Sequence, residues 1–334
     1  MDGKKLSNIQ YLRGIAALMV CGFHTQNWLN NSLTENLGSQ LFPSGEYGVE
    51  IFFVISGFIM IYTTRNYDPQ LVKKNFFYFM KKRIVRIVPL YTLLTFLWIF
   101  LFVPGFIFNY VNTIKLIKCL FFIPYKGYPI LYLGWTLNYE MLFYVIFALT
   151  FLFKQYRIHA LICVFILQFI LQQFTFSGVI PKFLSNGVIS FFFVGIVSAL
   201  LVQKIKIPVI FGKIKYLSYL LLILLHLEII YFAQHIFLLL FIGINCFIII
   251  TSDFTTQEKV FKPLFFLGNI SFSLYLIHPF VPHILMSYFN INPGFIDNGI
   301  LTFLFYLLML SVIFGISYLS YKLIEEKFNK LLTR

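Results

Sequence analysis

A chain of 334 residues that is 60% hydrophobic and only 11% charged, with 44 Phe, has too little polar surface to enclose a water-soluble globule. The composition points to a polytopic membrane protein. The net charge of +14 is accounted for by cationic loops on one side of a bilayer, helped by attraction to anionic membrane lipids, so no nucleic-acid partner is expected.

Apolar stretches of about 20 residues, enough to cross a hydrocarbon layer of roughly 30 Å, fall at 9–29, 47–64, 84–103, 131–153, 158–174, 187–202, 216–233, 236–250, 268–289 and 299–323. The prediction is an all-α transmembrane bundle of about ten helices. The long apolar run from 216 to 250 must break near Gln234 and His235 to make two of them. An eleventh would arise if 114–123 inserted, but a short segment among Lys115, Lys118 and Lys126 suits the interface better.

Charge sets the orientation. With the N-terminus inside, the cytoplasmic set runs from Lys4 and Lys5 through Lys81, Lys82, Arg83, Arg86, Lys154 and Arg157 to Arg334. Only Lys115, Lys118, Lys126 and Lys182 fall outside, and Arg13 lies in the membrane. Both termini are therefore expected in the cytoplasm, and the protein in a bacterial-type inner membrane. The first apolar segment lacks a small-residue cleavage site and carries Arg13 in its core, so it is expected to be retained. Cys21, Cys119, Cys163 and Cys246 show no paired spacing and read as buried thiols, neither disulfides nor metal ligands. Without repeat, linker or soluble appendage, residues 1–334 read as a single transmembrane domain.

Ionisable groups within membrane spans are functional hypotheses by default. On the first helix, Arg13 and His24 are eleven positions apart, which places them within about 20° of one face and roughly 16 Å apart along the axis. That stripe should face a polar cavity. Glu50, at the outer end of the second span, is expected at about the depth of His24, where a carboxylate would orient the imidazole. Glu140 follows Trp135, Thr136, Asn138 and Tyr139 inside the fourth span, a polar run that needs hydrogen-bond partners or water. Arg83 and Arg86, three apart, put two guanidiniums on one helix side at the cytoplasmic entrance to the third span, as forked phosphate contacts require; positive-inside flanking explains them equally well. Ser271, Tyr275 and His278 recur at i, i+4 and i+7 and form an inward polar stripe, whether for packing or for substrate. His226 and Glu228, two apart, read as packing or rim residues.

These blocks, in this order, resemble the acyltransferase-3 family of integral-membrane acyltransferases nearly end to end. The resemblance is carried by Leu12-Arg13-Gly14 with His24, the segment from Gly48 through Glu50 to Gly57, and Arg83-Ile-Val-Arg86 with Pro89 and Tyr91. It continues in Trp135-Thr-Leu-Asn-Tyr-Glu140, Ser271 to His278, and Glu325-Glu-Lys-Phe328. The wording around Trp135 is similar to the branch that acetylates exopolysaccharides and other surface glycans. Glu50 stands where many members have aspartate, and no proline follows Glu325. These 334 residues show no counterpart of the extra-cytoplasmic hydrolase-like domain of some members, so no relay to such a domain is expected.

The resemblance implies an O-acyltransferase with no permanently bound cofactor. Acetyl-CoA or another acyl-CoA would be the donor, and a glycan or lipid-linked oligosaccharide hydroxyl the acceptor. His24 with Glu50 and Glu140 would then be catalytic. Arg13, Arg83, Arg86, Trp135, Asn138, Ser271, Tyr275 and His278 would bind substrate or acyl-CoA. Direct transfer with His24 as general base and an acyl-histidine intermediate both remain open. A carrier or flippase for lipid-linked sugars is the alternative from another class, although no inverted repeat supports it.

Overall fold

The computed structural model describes residues 6–30, 36–103, 105–106, 110–255 and 259–333, so Lys4, Lys5 and Arg334 of the expected cytoplasmic set lie outside it. The described residues form α-helices joined by short turns, with no strand among them. In chain order these are α1 Ser7–Thr25, α2 Leu37–Leu41, α3 Gly48–Thr63, α4 Val72–Phe102, α5 Tyr110–Leu120, α6 Gly134–Leu149, α7 Arg157–Leu171, α8 Val179–Leu184 and α9 Ser190–Lys204. They continue as α10 Ile210–His226, α11 His235–Ser252, α12 Lys262–Ile277, α13 Phe280–Phe289, α14 Gly299–Ser320 and α15 Glu326–Thr333.

Seven helical stretches among the described residues are long and apolar enough to cross a membrane, which makes this a multi-pass membrane protein. The difference from ten has local causes. The stretch Gly134–Leu171 holds two predicted spans, separated where Lys154 adopts φ 48°. α1 carries Ser7, Asn8, Gln10 and Arg13 in its first turns, and α10 has only 17 residues, two of them Lys213 and Lys215. The long apolar run breaks where expected, with α10 ending at His226 and α11 beginning at His235 behind the Gln234 cap. α5 covers most of 114–123 but has 11 residues, too few to span. The stretch at 268–289 is interrupted at His278-Pro279, where both residues keep right-handed helical dihedrals but proline has no N–H to continue the hydrogen-bond ladder. Cys21, Cys119 and Cys246 are buried as expected, whereas Cys163 lies on the exposed face of α7.

Packing divides the chain into two compact units: Met1–Ile55 with Val197–Tyr321, and Ser56–Ile196 with Lys322–Arg334. In the first unit α1 packs most extensively on α12. A Cβ on Gly268 would run into the Gln10 carbonyl, and one on Gly14 would sit 3.0 Å from the Leu264 carbonyl oxygen and 3.1 Å from Gly268 N. The two backbones therefore touch at Gly14 and Gly268, the close approach that small residues permit in membrane helix pairs. Gly48 makes a similar approach to the Ala16 carbonyl. The start of α1 is capped from a distance. Asn8 N donates to Asp253 Oδ2 at 2.9 Å, and Asn8 Nδ2 donates to Ser252 Oγ and Asp253 Oδ1, each at 2.9 Å. The carboxylate thus meets an orphan N–H at the positive end of the helix. Below it, Ala17, Cys21, Trp28, Leu274, Met309 and Ile313 form one apolar cluster.

The second unit is built on aromatic packing. Phe79 stacks on Phe147 with centroids 5.0 Å apart, and Phe143 on Phe192 at 4.3 Å. A Cβ on Gly57 would collide with the Phe192 carbonyl, and one on Gly134 with the Tyr91 ring. Arg157 Nη2 donates to Thr64 O at 2.8 Å, tying the start of α7 to the end of α3.

Candidate active site

The Gly14–Gly268 contact sets the register of the first unit's polar groups. His24 is ten residues beyond Gly14, and His278 ten beyond Gly268. On helices that run side by side in the same direction, both imidazoles arrive at one level, about 15 Å from the crossing. They meet there, with His278 Nε2 3.3 Å from His24 Nδ1 and ring centroids 5.1 Å apart.

Backbone carbonyls fix the tautomers. His278 Nδ1 lies 3.2 Å from Leu274 O and His24 Nδ1 lies 2.9 Å from Val20 O. A carbonyl only accepts, so each Nδ1 carries its proton when the ring is neutral. His278 Nε2 is then an acceptor, and the His24 Nδ1–H is shared between Val20 O and His278 Nε2. The basic lone pair of His24 is left on Nε2. His278 is fully buried, whereas His24 is exposed. One imidazole is held inside the protein while the other presents a base, the arrangement a general base needs.

The remaining predicted residues of this unit take definite places. Arg13 is half-buried and its Nη1 donates to Gln10 Oε1 at 3.2 Å, one turn earlier on α1. Glu50 is half-buried in the first turn of α3, and its Oε2 is buried with no hydrogen-bond partner among the described residues. The neighbour of His24 Nδ1 is His278 rather than that carboxylate. Tyr275 packs edge-on to both Phe52, at 6.0 Å, and His278, at 6.2 Å. Ser271 Oγ donates to Gly268 O at 2.8 Å, so it serves its own helix. Ser44 Oγ donates to Glu228 Oε1 at 2.7 Å and Ser44 N to His226 O at 3.3 Å, which makes that pair a loop clasp.

In the second unit Arg83 is 8% exposed. Its guanidinium carbon lies 5.3 Å from the Phe79 ring centroid and 5.5 Å from that of Tyr144, within cation–π reach. Its Nε has no hydrogen-bond partner among the described residues. A snorkelling arginine would reach water, and this one does not. Arg86, one turn on, is half-buried. Glu140 accepts from Ser56 Oγ at 3.1 Å and from the Tyr144 hydroxyl, so this carboxylate is engaged within its own unit. Trp135 is half-buried; Asn138 is buried, and its Oδ1 has no partner among the described residues.

Sequence reading did not single out Tyr144 or Ser56. Tyr144 was within reach of it, since it stands four residues after Glu140 on one helix face. Ser56 lies in the segment that ends at Gly57, but its partner is 84 residues away.

No group of three or more His, Cys, Asp or Glu able to hold a metal ion occurs among the described residues. The arrangement in the first unit is suited to taking a proton from a hydroxyl or to attacking an acyl carbon through His24 Nε2. That in the second offers a buried cation for an anion.

Comparison with known proteins bears on which of these is used. Exopolysaccharide production protein ExoZ of Rhizobium meliloti (strain 1021) is 40% identical over 114 residues, covering 32% of this chain and 34% of that protein. The chain thus aligns with about a third of the length of this curated relative. No solved structure matches the chain significantly. A family model described as Acyltransferase domain matches residues 6–322. That match takes in the paired imidazoles of the first unit and the arginines and Glu140 of the second, and this multi-pass membrane protein belongs to that acyltransferase family.

Proposed function

We propose that the protein transfers an acyl group, acetyl in the first instance, from cytoplasmic acyl-CoA to a hydroxyl of an exopolysaccharide or of its lipid-linked precursor. The His24–His278 pair carries this reading, because it holds an imidazole base, Nδ1 against the Val20 carbonyl, next to a buried partner. The glycan acceptor is supported by the similarity to the exopolysaccharide production protein.

In the proposed reaction His24 Nε2 removes the proton from the acceptor hydroxyl as its oxygen attacks the thioester carbon. The C–S bond then breaks, and the CoA sulfur leaves, taking back the proton held by His24. His278 keeps the imidazole in its orientation throughout. Arg83 and Arg86 are assigned the CoA phosphates: a guanidinium buried at 8% exposure with an unpartnered Nε costs several kcal/mol unless an anion offsets it, and phosphate matches its forked geometry. Arg13 shares the His24 face of α1 and is assigned the pantetheine and diphosphate portion. Glu50, in the first unit with His24, is assigned to the site through its charge, while Glu140 holds Ser56 and Tyr144 within the second unit. The orientation is that of the charge bias, with both termini in the cytoplasm of a bacterial-type inner membrane.

The test uses membranes holding wild type, His24→Ala or Arg83→Ala, supplied with radioactive acetyl-CoA and lipid-linked or surface glycan. Label should reach the glycan with wild type and not with His24→Ala, while both proteins insert equally. Absence of wild-type transfer to every glycan, together with absence of CoA binding, would overturn the reading. Label accumulating on the protein in the absence of glycan would replace direct transfer with an acyl-histidine intermediate.

A further inference from the structure

The second unit contains a pocket of about 630 Å³, within the roughly 300–1,000 Å³ range of small-molecule sites. It is walled by aromatic side chains, amides and lysines that the reaction above does not use. Tyr139 stacks on Phe183 with centroids 4.1 Å apart and planes 17° apart, and Trp135 stands edge-on to Tyr139 at 6.0 Å. Tyr128, 68% exposed, faces the same space. Asn138 lines it at 6% exposure with an Oδ1 that has no partner among the described residues, and a buried amide so left is costly until something bonds to it. Lys126 and Lys182 are exposed at its border, and no acidic residue lines it among the described residues.

The lysines are the informative part. Of the Lys and Arg in the chain, only four fall outside under the orientation set by charge, and two of those four, Lys126 and Lys182, converge on this pocket. A third, Lys115, lies 5.9 Å from the ring of Tyr125, another lining residue. Loop composition alone gives no reason for the exceptions to the positive-inside pattern to gather at one place. Position along α6 points the same way. Trp135 is nine residues from Tyr144, whose ring lies beside Arg83, so the pocket lies about 13 Å along the helix from the level of that arginine.

We propose that this pocket is the acceptor subsite and that its ligand is an anionic carbohydrate. Flat aromatic faces suit the C–H face of a pyranose ring, amides suit its hydroxyls, and two lysine ammoniums at the rim suit a carboxylate or phosphate. The inference rests on the acyltransfer reading above for the word acceptor, and on the pocket alone for the word anionic. The charge of the sugar has two available sources, a uronate within the chain or a diphosphate at its lipid-linked end.

The experiment measures binding by saturation-transfer NMR to the full chain in detergent. Its probes are a neutral oligosaccharide, the same oligosaccharide bearing uronate, and the neutral one bearing a reducing-end diphosphate; adenosine 3′,5′-bisphosphate is a fourth. One or both anionic sugars should bind at least tenfold tighter than the neutral one, and which does so names the source of the charge. Lys126→Gln with Lys182→Gln should abolish that preference, and Trp135→Ala should weaken all three sugars together. Both lysines are exposed, so their replacement leaves the fold in place, and unaltered thermal unfolding checks this. Equal binding of charged and neutral sugars, or no sugar binding, overturns the proposal. So does adenosine bisphosphate binding that is lost in the lysine variant, which would make the pocket a nucleotide site. Sugar binding by a wild type that neither transfers acetyl to any glycan nor binds CoA would leave the subsite standing and sink the acyltransfer reading instead.

Discussion

Replacing His278 by leucine isolates what the second imidazole does. Leucine fills a fully buried position without offering an acceptor to His24. The His24 Nδ1–H would keep its 2.9 Å bond to Val20 O and lose the 3.3 Å contact with His278 Nε2. The tautomer should therefore survive, and the loss is confined to one hydrogen bond that matters more once His24 is protonated. A neutral bond of this kind contributes about 0.5–1.5 kcal/mol net and one to a charged group about 1.5–3. The difference between ground and transition state is then about 1–1.5 kcal/mol, or roughly 5- to 13-fold in the rate of transfer. His24→Ala, which removes the base itself, should cost roughly 10²- to 10⁴-fold. Initial rates of label transfer from acetyl-CoA in membranes with matched protein levels separate the two. His278→Gln, whose Oε1 can accept from Nδ1–H, should recover part of the loss. If His278→Leu falls as far as His24→Ala while its unfolding temperature is unchanged, His278 takes part in the chemistry directly. If it transfers at the wild-type rate, the contact between the imidazoles is irrelevant, and either result refutes the reasoning.

Gly268→Ala places a methyl group against the Gln10 carbonyl, and the α1–α12 crossing must open; the expected cost is about 1–3 kcal/mol, read as a lower unfolding temperature in detergent with a parallel loss of transfer. Asp253→Ala removes the carboxylate bonded to Asn8 N and Nδ2, and a loss of roughly 2–3 kcal/mol is expected; an unfolding temperature equal to wild type would show that the cap contributes nothing. Arg83→Lys keeps the positive charge but not the planar fork, so acyl-CoA should bind about tenfold more weakly, a change of about 1.4 kcal/mol, and unchanged affinity would remove Arg83 from the donor site.

Sequence periodicity located the helices well where composition was uniform, as at 236–250 and α11 or 299–323 and α14. It was least informative where polar residues enter a span for a reason. α1 carries Asn8 because Asp253 caps its start from 245 residues away, a separation over which no sequence pattern links the two. Lys215 falls just before the predicted span 216–233, yet it is 3% exposed inside α10, which begins at Ile210. The Arg13–His24 stripe was legible because both residues belong to one helix. The His24–His278 pair was not, since its members are 254 residues apart and the contact that aligns them involves two glycines with no side chain to give a pattern. The partners of Glu140 show both cases: Tyr144 follows at helical spacing, and Ser56 comes from another helix. The lysine-rimmed pocket was invisible because Lys126 stands in the loop after α5 and Lys182 in α8, and only packing brings them together.

The choice of an imidazole as partner for His24 has a physical rationale in a membrane protein. A carboxylate hydrogen-bonded to His24 would have to be kept ionised away from bulk water in every turnover, at a desolvation cost of several kcal/mol before substrate arrives. Two neutral imidazoles anchored on Val20 O and Leu274 O carry no such ground-state charge. In the proposed reaction charge would appear only when His24 accepts a proton, and at that moment its Nδ1–H would become a charge-assisted donor to two acceptors already in position. The interaction is therefore stronger in the transition state than before it, which is the condition for a contact to accelerate a reaction rather than merely hold a side chain. The same condition requires that the imidazoles be aligned before the substrate binds, and the backbone contact at Gly14 and Gly268, ten residues below each of them, supplies that alignment.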